Sequence, residues 1–183
     1  MDFESVFRLL LETFEKNHFR YALIGGWAVA AAGHHRATQD IDFLLQRDDY
    51  PAVKAFLSGF GYELLNESGD VANFAGKLKE LGQVDFLLAH RPYALAMLDR
   101  AIRRPILDRK FVVPVLQPED LIGLKLQSIV NDPARAEEDR ADIEALLRLN
   151  AKELHWELIE EYFTILNKKD EFHALRQKFL DPH

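Results

Sequence analysis

Three aspartates stand at positions where a carboxylate could take part in chemistry. Asp40 and Asp42 flank Ile41 at the start of an apolar stretch, and Asp85 is the one charged residue of the apolar run 84–88. Because side chains alternate along a strand, Asp40 and Asp42 lie on the same face. Adjacent carboxylates repel each other, and a lone carboxylate is costly to bury. The pattern therefore favours a bound cation over two solvated aspartates on an edge strand, while Asp85 is either partnered or at an exposed strand edge.

A pair of glycines precedes these aspartates in the chain. Gly25 and Gly26 end the apolar run 21–24, which reads as a strand, and a short apolar helix is expected over 27–32. Backbone N–H groups in a turn that opens a helix suit phosphate oxygens. A carboxylate pair beside a phosphate cradle is what a magnesium–nucleotide site requires.

The order of these features resembles a known family. A strand, Gly-Gly, a short helix, the motif Arg36-x-Thr38-x-Asp40-x-Asp42 and a second apolar strand are similar to the nucleotidyltransferase superfamily of the polymerase-beta type. The resemblance is sharp over residues 20–45, and its nearest branch contains the AbiEii-type toxin nucleotidyltransferases and their small relatives. It implies an enzyme that transfers a nucleoside monophosphate from an NTP to an acceptor with two Mg²⁺ ions, because charge neutralisation dominates this chemistry.

The resemblance also implies roles for individual residues at the site. Asp40 and Asp42 would hold both ions. Asp85 matches the superfamily's third carboxylate, on a neighbouring strand, and would act as a metal ligand or as the base. Gly25 and Gly26 would hold the β- and γ-phosphates, although many relatives carry a serine where this chain has Gly26.

Two loop residues complete the nucleotide site that the resemblance implies. Arg36 either reaches the triphosphate or locks the loop through an internal pair. Thr38 is expected to order the loop just before Asp40 rather than to touch the substrate.

A second set of charged residues lies in the helical part of the chain. Lys125, Arg135, Asp139 and Asp142 match a Lys, basic residue, Asp-x-x-Asp pattern of the AbiEii-like branch. Lys125 is alone in an apolar helical stripe, and such a lysine either reaches solvent or points at an anion. It therefore either neutralises phosphate charge or pairs internally with the two aspartates, which are themselves candidate site residues.

The order of strand and helix patterns predicts an α+β fold. We expect a nucleotidyltransferase-like domain over 1–117, with a mixed β-sheet and flanking helices, and a helical domain over 118–183. Hydrophobic spacing and turn residues predict the individual elements. Helices are expected over 3–17, 48–60, 92–103, 134–149, 152–166 and 170–180, and a further helix is expected to begin at residue 118. Strands are expected over 21–24, 40–45, 62–65, 71–78 and 83–88, and a hairpin is expected within 106–116.

Composition excludes several classes of protein. The chain has 183 residues, of which 48% are hydrophobic, and it has no cysteine, which excludes disulfides and thiolate zinc sites. The net charge of −7 argues against broad, non-specific binding of nucleic acid. No apolar run approaches the roughly 20 residues of a membrane span, so a cytoplasmic protein without membrane contact is expected.

The acceptor of the transferred nucleotide remains open between alternatives. Resemblance to the toxin branch implies tRNA, and with it an antitoxin protein as a partner. Aminoglycoside nucleotidyltransferases also carry Gly-Gly-Trp-Ala before an Asp-x-Asp, which implies a small-molecule acceptor instead. A third hypothesis is a non-catalytic nucleotide-binding domain, against which the retention of all three carboxylates argues.

Overall fold

The computed structural model describes residues 1–180, and these divide into two compact units. The first unit comprises residues 1–31 and 36–116. The second comprises, among the described residues, 32–35 and 117–180.

The first unit is built on a mixed sheet of seven strands: β1 Tyr21–Leu23, β2 Asp40–Gln46, β3 Tyr62–Glu67, β4 Val71–Gly76, β5 Gln83–Ala89, β6 Ile102–Ile106 and β7 Phe111–Val115. They lie in the order β3-β4-β5-β2-β1-β7-β6. At its centre β2 runs parallel to β5 and antiparallel to β1, and β1 runs parallel to β7. The outer strands pair with their neighbours as antiparallel hairpins. The mixed sheet confirms the predicted fold class.

Four helices accompany this sheet: α1 Phe3–Lys16, α2 Gly25–Ala31, α3 Tyr50–Gly59 and α4 Pro92–Arg100. The apolar stripe of α1 supplies Phe14, whose ring centroid lies 5.4 Å from that of Phe43 and 6.4 Å from that of Phe86. All three rings are essentially inaccessible to solvent. We call the side of the sheet that carries Phe43 and Phe86 the core face. The alternating residues of the same strands point to the other side, which we call the carboxylate face.

Several predicted boundaries in the first unit were wrong. Helix α4 ends at Arg100 instead of residue 103, because Arg103 and Arg104 belong to strand β6 and pair with β7. Helix α3 begins at Tyr50, two residues later than predicted, after a short 3-10 turn, and Asp49 stands at its N-cap position without a side-chain capping hydrogen bond. The Asp49 carboxylate accepts a hydrogen bond from the Arg20 backbone N–H at 2.8 Å.

The second unit contains only helices among its described residues. They are α5 Pro118–Asn131, α6 Ala136–Asn150, α7 Trp156–Ile165 and α8 Lys169–Leu180. Helix α6 begins two residues later than predicted, because Asp132 accepts the Ala134 N–H and a 3-10 turn intervenes. Helix α7 begins four residues late. No helix in residues 1–180 is long and apolar enough to cross a membrane.

Close helix packing in the second unit depends on a small residue in α5. A Cβ atom on Gly123 would lie 2.7 Å from the ring of Tyr162 in α7. Helices α5 and α7 therefore come into contact where the glycine has no side chain. The Tyr162 hydroxyl donates a hydrogen bond of 2.6 Å to the buried Asp120 carboxylate. This bond gives a buried acidic residue a polar partner, without which its burial would be costly.

Candidate functional site

The pairing of β2 with β5 brings the three aspartates together. In the parallel register Asp42 stands opposite Asp85, and Asp40 stands opposite Gln83. Partners in a register share a face, so all three carboxylates lie on the carboxylate face. One oxygen from each of them lies within 4.8 Å of the other two, and all three residues are half-buried.

The chemistry of these three carboxylates suits a divalent cation. Three carboxylates so close together repel one another strongly if all are ionised, and a cation between them relieves that repulsion. Carboxylate oxygens are the ligands that Mg²⁺ prefers in proteins. The Thr38 hydroxyl lies 3.1 Å from an Asp40 oxygen, where it can donate a hydrogen bond and fix the orientation of that carboxylate.

The two glycines allow α2 to begin directly against these side chains. A Cβ atom on Gly25 would lie 2.0 Å from Asp42 Oδ2, and the residue has φ +62°, which L side chains rarely adopt. A Cβ atom on Gly26 would lie 2.7 Å from Thr38 Cβ. Helix α2 begins at Gly25, two residues earlier than predicted, so both glycines belong to its first turn. Only glycine fits both positions without moving the neighbouring side chains.

Arg36 lies in the loop that connects α2 to β2. Its Nη1 atom donates a hydrogen bond of 3.1 Å to the carbonyl oxygen of Ala37 and lies 3.5 Å from the position of a Cβ atom on Gly26. The internal contact shows that Arg36 helps to shape this loop. Because Arg36 also lies near the glycines, a contact between its guanidinium group and a bound triphosphate stays a prediction.

The charged residues predicted in the helical part form a cluster within the second unit. Lys125 Nζ lies 2.6 Å from Asp139 Oδ1 and 2.7 Å from Asp142 Oδ2, and all three side chains are buried. Arg135 adds a longer contact, 3.5 Å from its Nε to Asp139 Oδ2. Of the two alternatives drawn from the sequence, this geometry is that of the internal ion pair.

Comparison with known proteins was made by sequence and by structure. Residues 6–91, which include the glycine pair and all three aspartates, match the family model described as aminoglycoside-2''-adenylyltransferase. A sequence search of the curated proteins gives no match.

Several solved structures are similar to this chain. The solution structure of the antibiotic-resistance factor ANT(2'')-Ia has a TM-score of 0.62 and 18% identity, with 97% of this chain and 98% of that chain covered. The chain has a nucleotidyltransferase-like fold. The lincosamide adenylyltransferase LnuA in its lincomycin-bound crystal structure has a TM-score of 0.56 and 20% identity, with 80% of this chain and 97% of that chain covered. An antigenic nucleotidyltransferase-like protein from Paracoccidioides brasiliensis has a TM-score of 0.57 and 16% identity, covering 96% and 92%.

The similar structures share the predicted nucleotidyltransferase-like fold, and the family match over residues 6–91, to an adenylyltransferase, agrees with the predicted enzyme class, a nucleotidyltransferase. The predicted closeness to AbiEii-type toxins, and the antitoxin partner that it implied, are not shown.

Sequence reasoning did not place two asparagines that lie beside the three aspartates. Asn73 of β4 stands opposite Asp85, and Asn66 of β3 stands opposite Asn73. The strand alternation in β4 could have placed Asn73 on the same side as its half-buried neighbours. Its position beside Asp85 follows only from the pairing of β4 with β5.

Proposed function

We propose that this protein is a divalent-metal-dependent nucleotidyltransferase that moves a nucleoside monophosphate from an NTP to a hydroxyl group of a small molecule. The observation that carries the proposal is the convergence of Asp40, Asp42 and Asp85 within 4.8 Å, next to a helix start that only glycine can form. A family match to an adenylyltransferase over the same residues supports the reaction type.

The three carboxylates are the proposed metal ligands, with Mg²⁺ as the expected ion. Bound there, divalent ions would neutralise phosphate charge and make the acceptor hydroxyl more acidic. Thr38 holds one carboxylate in place through its hydrogen bond to Asp40. Asp85 is the proposed acceptor of the hydroxyl proton. It lies on β5, next to the strand that carries Asp40 and Asp42, and so borders the pair on one side.

The nucleotide is proposed to bind where α2 begins. Gly25 and Gly26 carry no side chains that would block an approaching phosphate, and their backbone N–H groups stand at the start of a helix. Arg36 lies close enough to the glycines to add a positive charge to the triphosphate site. This combination of donors and positive charge suits a triphosphate better than an uncharged ligand.

A small-molecule acceptor has more support than tRNA. The matching family model is named for an aminoglycoside adenylyltransferase. Of the similar structures, one is named an antibiotic-resistance factor and another a lincosamide antibiotic adenylyltransferase. A net charge of −7 works against a polyanionic acceptor, which needs a basic surface.

Lys125 is proposed to stabilise the second unit by neutralising Asp139 and Asp142. Its two short contacts support this role, since a buried ammonium is retained only with such partners. The alternative, a contact between Lys125 and the triphosphate, predicts weaker nucleotide binding when the lysine is replaced.

The test is transfer of label from each α-³²P-labelled NTP, with Mg²⁺ present, to a panel of small molecules and to total tRNA. Asp42→Asn should abolish the labelled product without unfolding the protein, as checked by circular dichroism. Asp48→Asn is the matched control, because it removes the same charge from an exposed residue of the same unit. Equal activity in both variants would contradict the assignment.

A further inference from the structure

A row of amide side chains extends from the carboxylates toward the edge of the sheet. Asn73 stands opposite Asp85, Asn66 stands opposite Asn73, and Gln83 stands opposite Asp40. We call Asn66, Asn73 and Gln83 the amide row. Because residues paired in a register share a face, the amide row lies on the carboxylate face, continuous with the metal site.

The amide row is accessible to a ligand. Asn73 is half-buried, whereas Asn66 and Gln83 are exposed. The residues that alternate with them, such as Ala72 and Val84, point to the core face and are fully buried. An amide carries two N–H donors and a carbonyl acceptor, so the row offers several hydrogen-bonding groups beside Asp85.

A β-bulge puts an amide, rather than an apolar side chain, at the end of this row. The first part of the β3–β4 pairing places Leu64 opposite Phe74, and an unbroken register would then place Leu65 opposite Asn73. The register shifts between Leu64 and Asn66, so that Asn66 takes this place and donates a hydrogen bond of 3.3 Å to Asn73 Oδ1. Bulges often re-aim side chains next to functional sites, and asparagine is otherwise disfavoured in strands.

Apart from the three aspartates, the described neighbours of the amide row are apolar or ion-paired. Val71, Ala75 and Leu87 lie on the same face of β4 and β5. Glu63, opposite Ala75, is a charged residue on this part of the face, and it forms an ion pair with Lys77 at 3.8 Å. This surface therefore offers amides and small apolar groups, and its carboxylate is matched by a cation.

We propose that the amide row is the acceptor-binding surface, and that the acceptor is an uncharged, hydroxyl-rich small molecule with an apolar part. Amides bind hydroxyl groups as both donors and acceptors, and Val71 and Leu87 provide apolar contacts at one end. On the amide row itself, neither a polycation nor a polyanion would find matching charge, and the three aspartates beside the row are the proposed metal ligands.

This inference rests on the proposed function. A hydroxyl oxygen of the acceptor, held beside Asp85, forms a bond to the α-phosphorus of the NTP. The bond from that phosphorus to the bridging oxygen breaks, pyrophosphate leaves with the bonding electrons, and the hydroxyl proton passes to the Asp85 carboxylate.

The first arm of the test measures acceptor class. Transfer from α-³²P-ATP and the other NTPs is followed with neutral alkyl glycosides and nucleosides, with the polycation tobramycin, and with anionic sugar phosphates and tRNA. We expect labelled product with neutral members of the panel. Labelling of only the charged members, or of none while the magnesium–NTP complex binds, overturns the assignment.

The second arm tests the residues themselves. Asn73→Val keeps a strand-forming residue but removes the hydrogen bonds, and we expect the KM for the acceptor to rise at least tenfold while the KM for the NTP changes less than twofold. Leu65→Ser is the control on the same strand, since the exposed bulge residue lies outside the amide row. It should leave both constants unchanged. An unchanged acceptor KM in Asn73→Val, with fold and NTP binding intact, refutes the proposal.

The two proposals fail in different ways. If wild-type protein does not bind the magnesium–NTP complex by calorimetry, the proposed function itself is wrong. If binding and transfer occur but Asn73→Val has no effect on the acceptor, only the acceptor surface is wrong.

Discussion

Replacing Gly25 by alanine tests how the first turn of α2 controls the proposed metal site. The new Cβ atom would lie 2.0 Å from Asp42 Oδ2 and 2.6 Å from its Cγ atom, and contacts under 3.0 Å do not occur in real structures. The Asp42 carboxylate would therefore have to move by about 1 Å or more. The backbone also has φ +62°, which costs about 1–2 kcal/mol for a residue with a side chain.

Both costs can be converted into measurements. Strain and crowding together should lower the free energy of unfolding by about 2–4 kcal/mol. Displacement of a reacting group by about 1 Å typically slows an enzyme on the order of a hundredfold. We expect Gly25→Ala to lower the melting temperature, weaken Mg²⁺ binding and reduce nucleotidyl transfer by roughly that factor.

Gly59→Ala provides the matched control. Gly59 lies in helix α3, and a Cβ atom there would meet nothing within 4 Å. Alanine should be neutral or stabilise the helix by up to about 1 kcal/mol. Wild-type Mg²⁺ affinity and activity in Gly25→Ala would refute the reasoning, because Asp42 would then have tolerated the displacement.

Three further outcomes are expected. Lys125→Met should destabilise the protein by about 3–5 kcal/mol in urea unfolding, since it takes the ammonium away from two buried carboxylates, and combining it with Asp139→Asn and Asp142→Asn should recover part of the loss. Affinity for the magnesium–NTP complex should not change in folded Lys125→Met, and a selective loss of that affinity would instead support a phosphate contact. Burial raises the pKa of Tyr62, whose hydroxyl donates to the Leu81 carbonyl, to about 12. The folded state thus favours the protonated phenol, and this stabilisation is fully present below about pH 10 and lost as the pH rises toward 12. Tyr62→Phe should make the fall in melting temperature over that range shallower, and an identical alkaline limb would contradict the assignment.

Local sequence patterns predicted the parts of the site that depend on neighbouring residues. Alternation along one strand suffices to put Asp40 and Asp42 on one face. The glycine pair indicated a turn after β1, and the close approach of Gly25 to Asp42 gives the physical reason why glycine is needed there. Asp85 could be expected at the site only through the resemblance to a superfamily, because its strand is separated from β2 by a helix and a hairpin.

Features that depend on distant pairing were missed. Arg103 and Arg104 follow a helical pattern without interruption, yet they pair with β7 and lie in a strand. The bulge near Leu65 has no signal of its own in the sequence, because the register is set by β4. The choice between the two roles of Lys125 depended on the packing of α5 against α6, which the hydrophobic stripe of one helix does not specify.

The central claim is that Asp40, Asp42 and Asp85 hold the metal that binds the nucleotide. Calorimetric titration with a non-hydrolysable ATP analogue, with and without Mg²⁺, tests it most directly in wild-type protein, Asp42→Asn, Asp85→Asn and the control Asp48→Asn. We predict Mg²⁺-dependent binding in the wild type and the control, and affinity at least tenfold weaker in the two site variants. Equal, Mg²⁺-dependent affinity in all four proteins would contradict the claim.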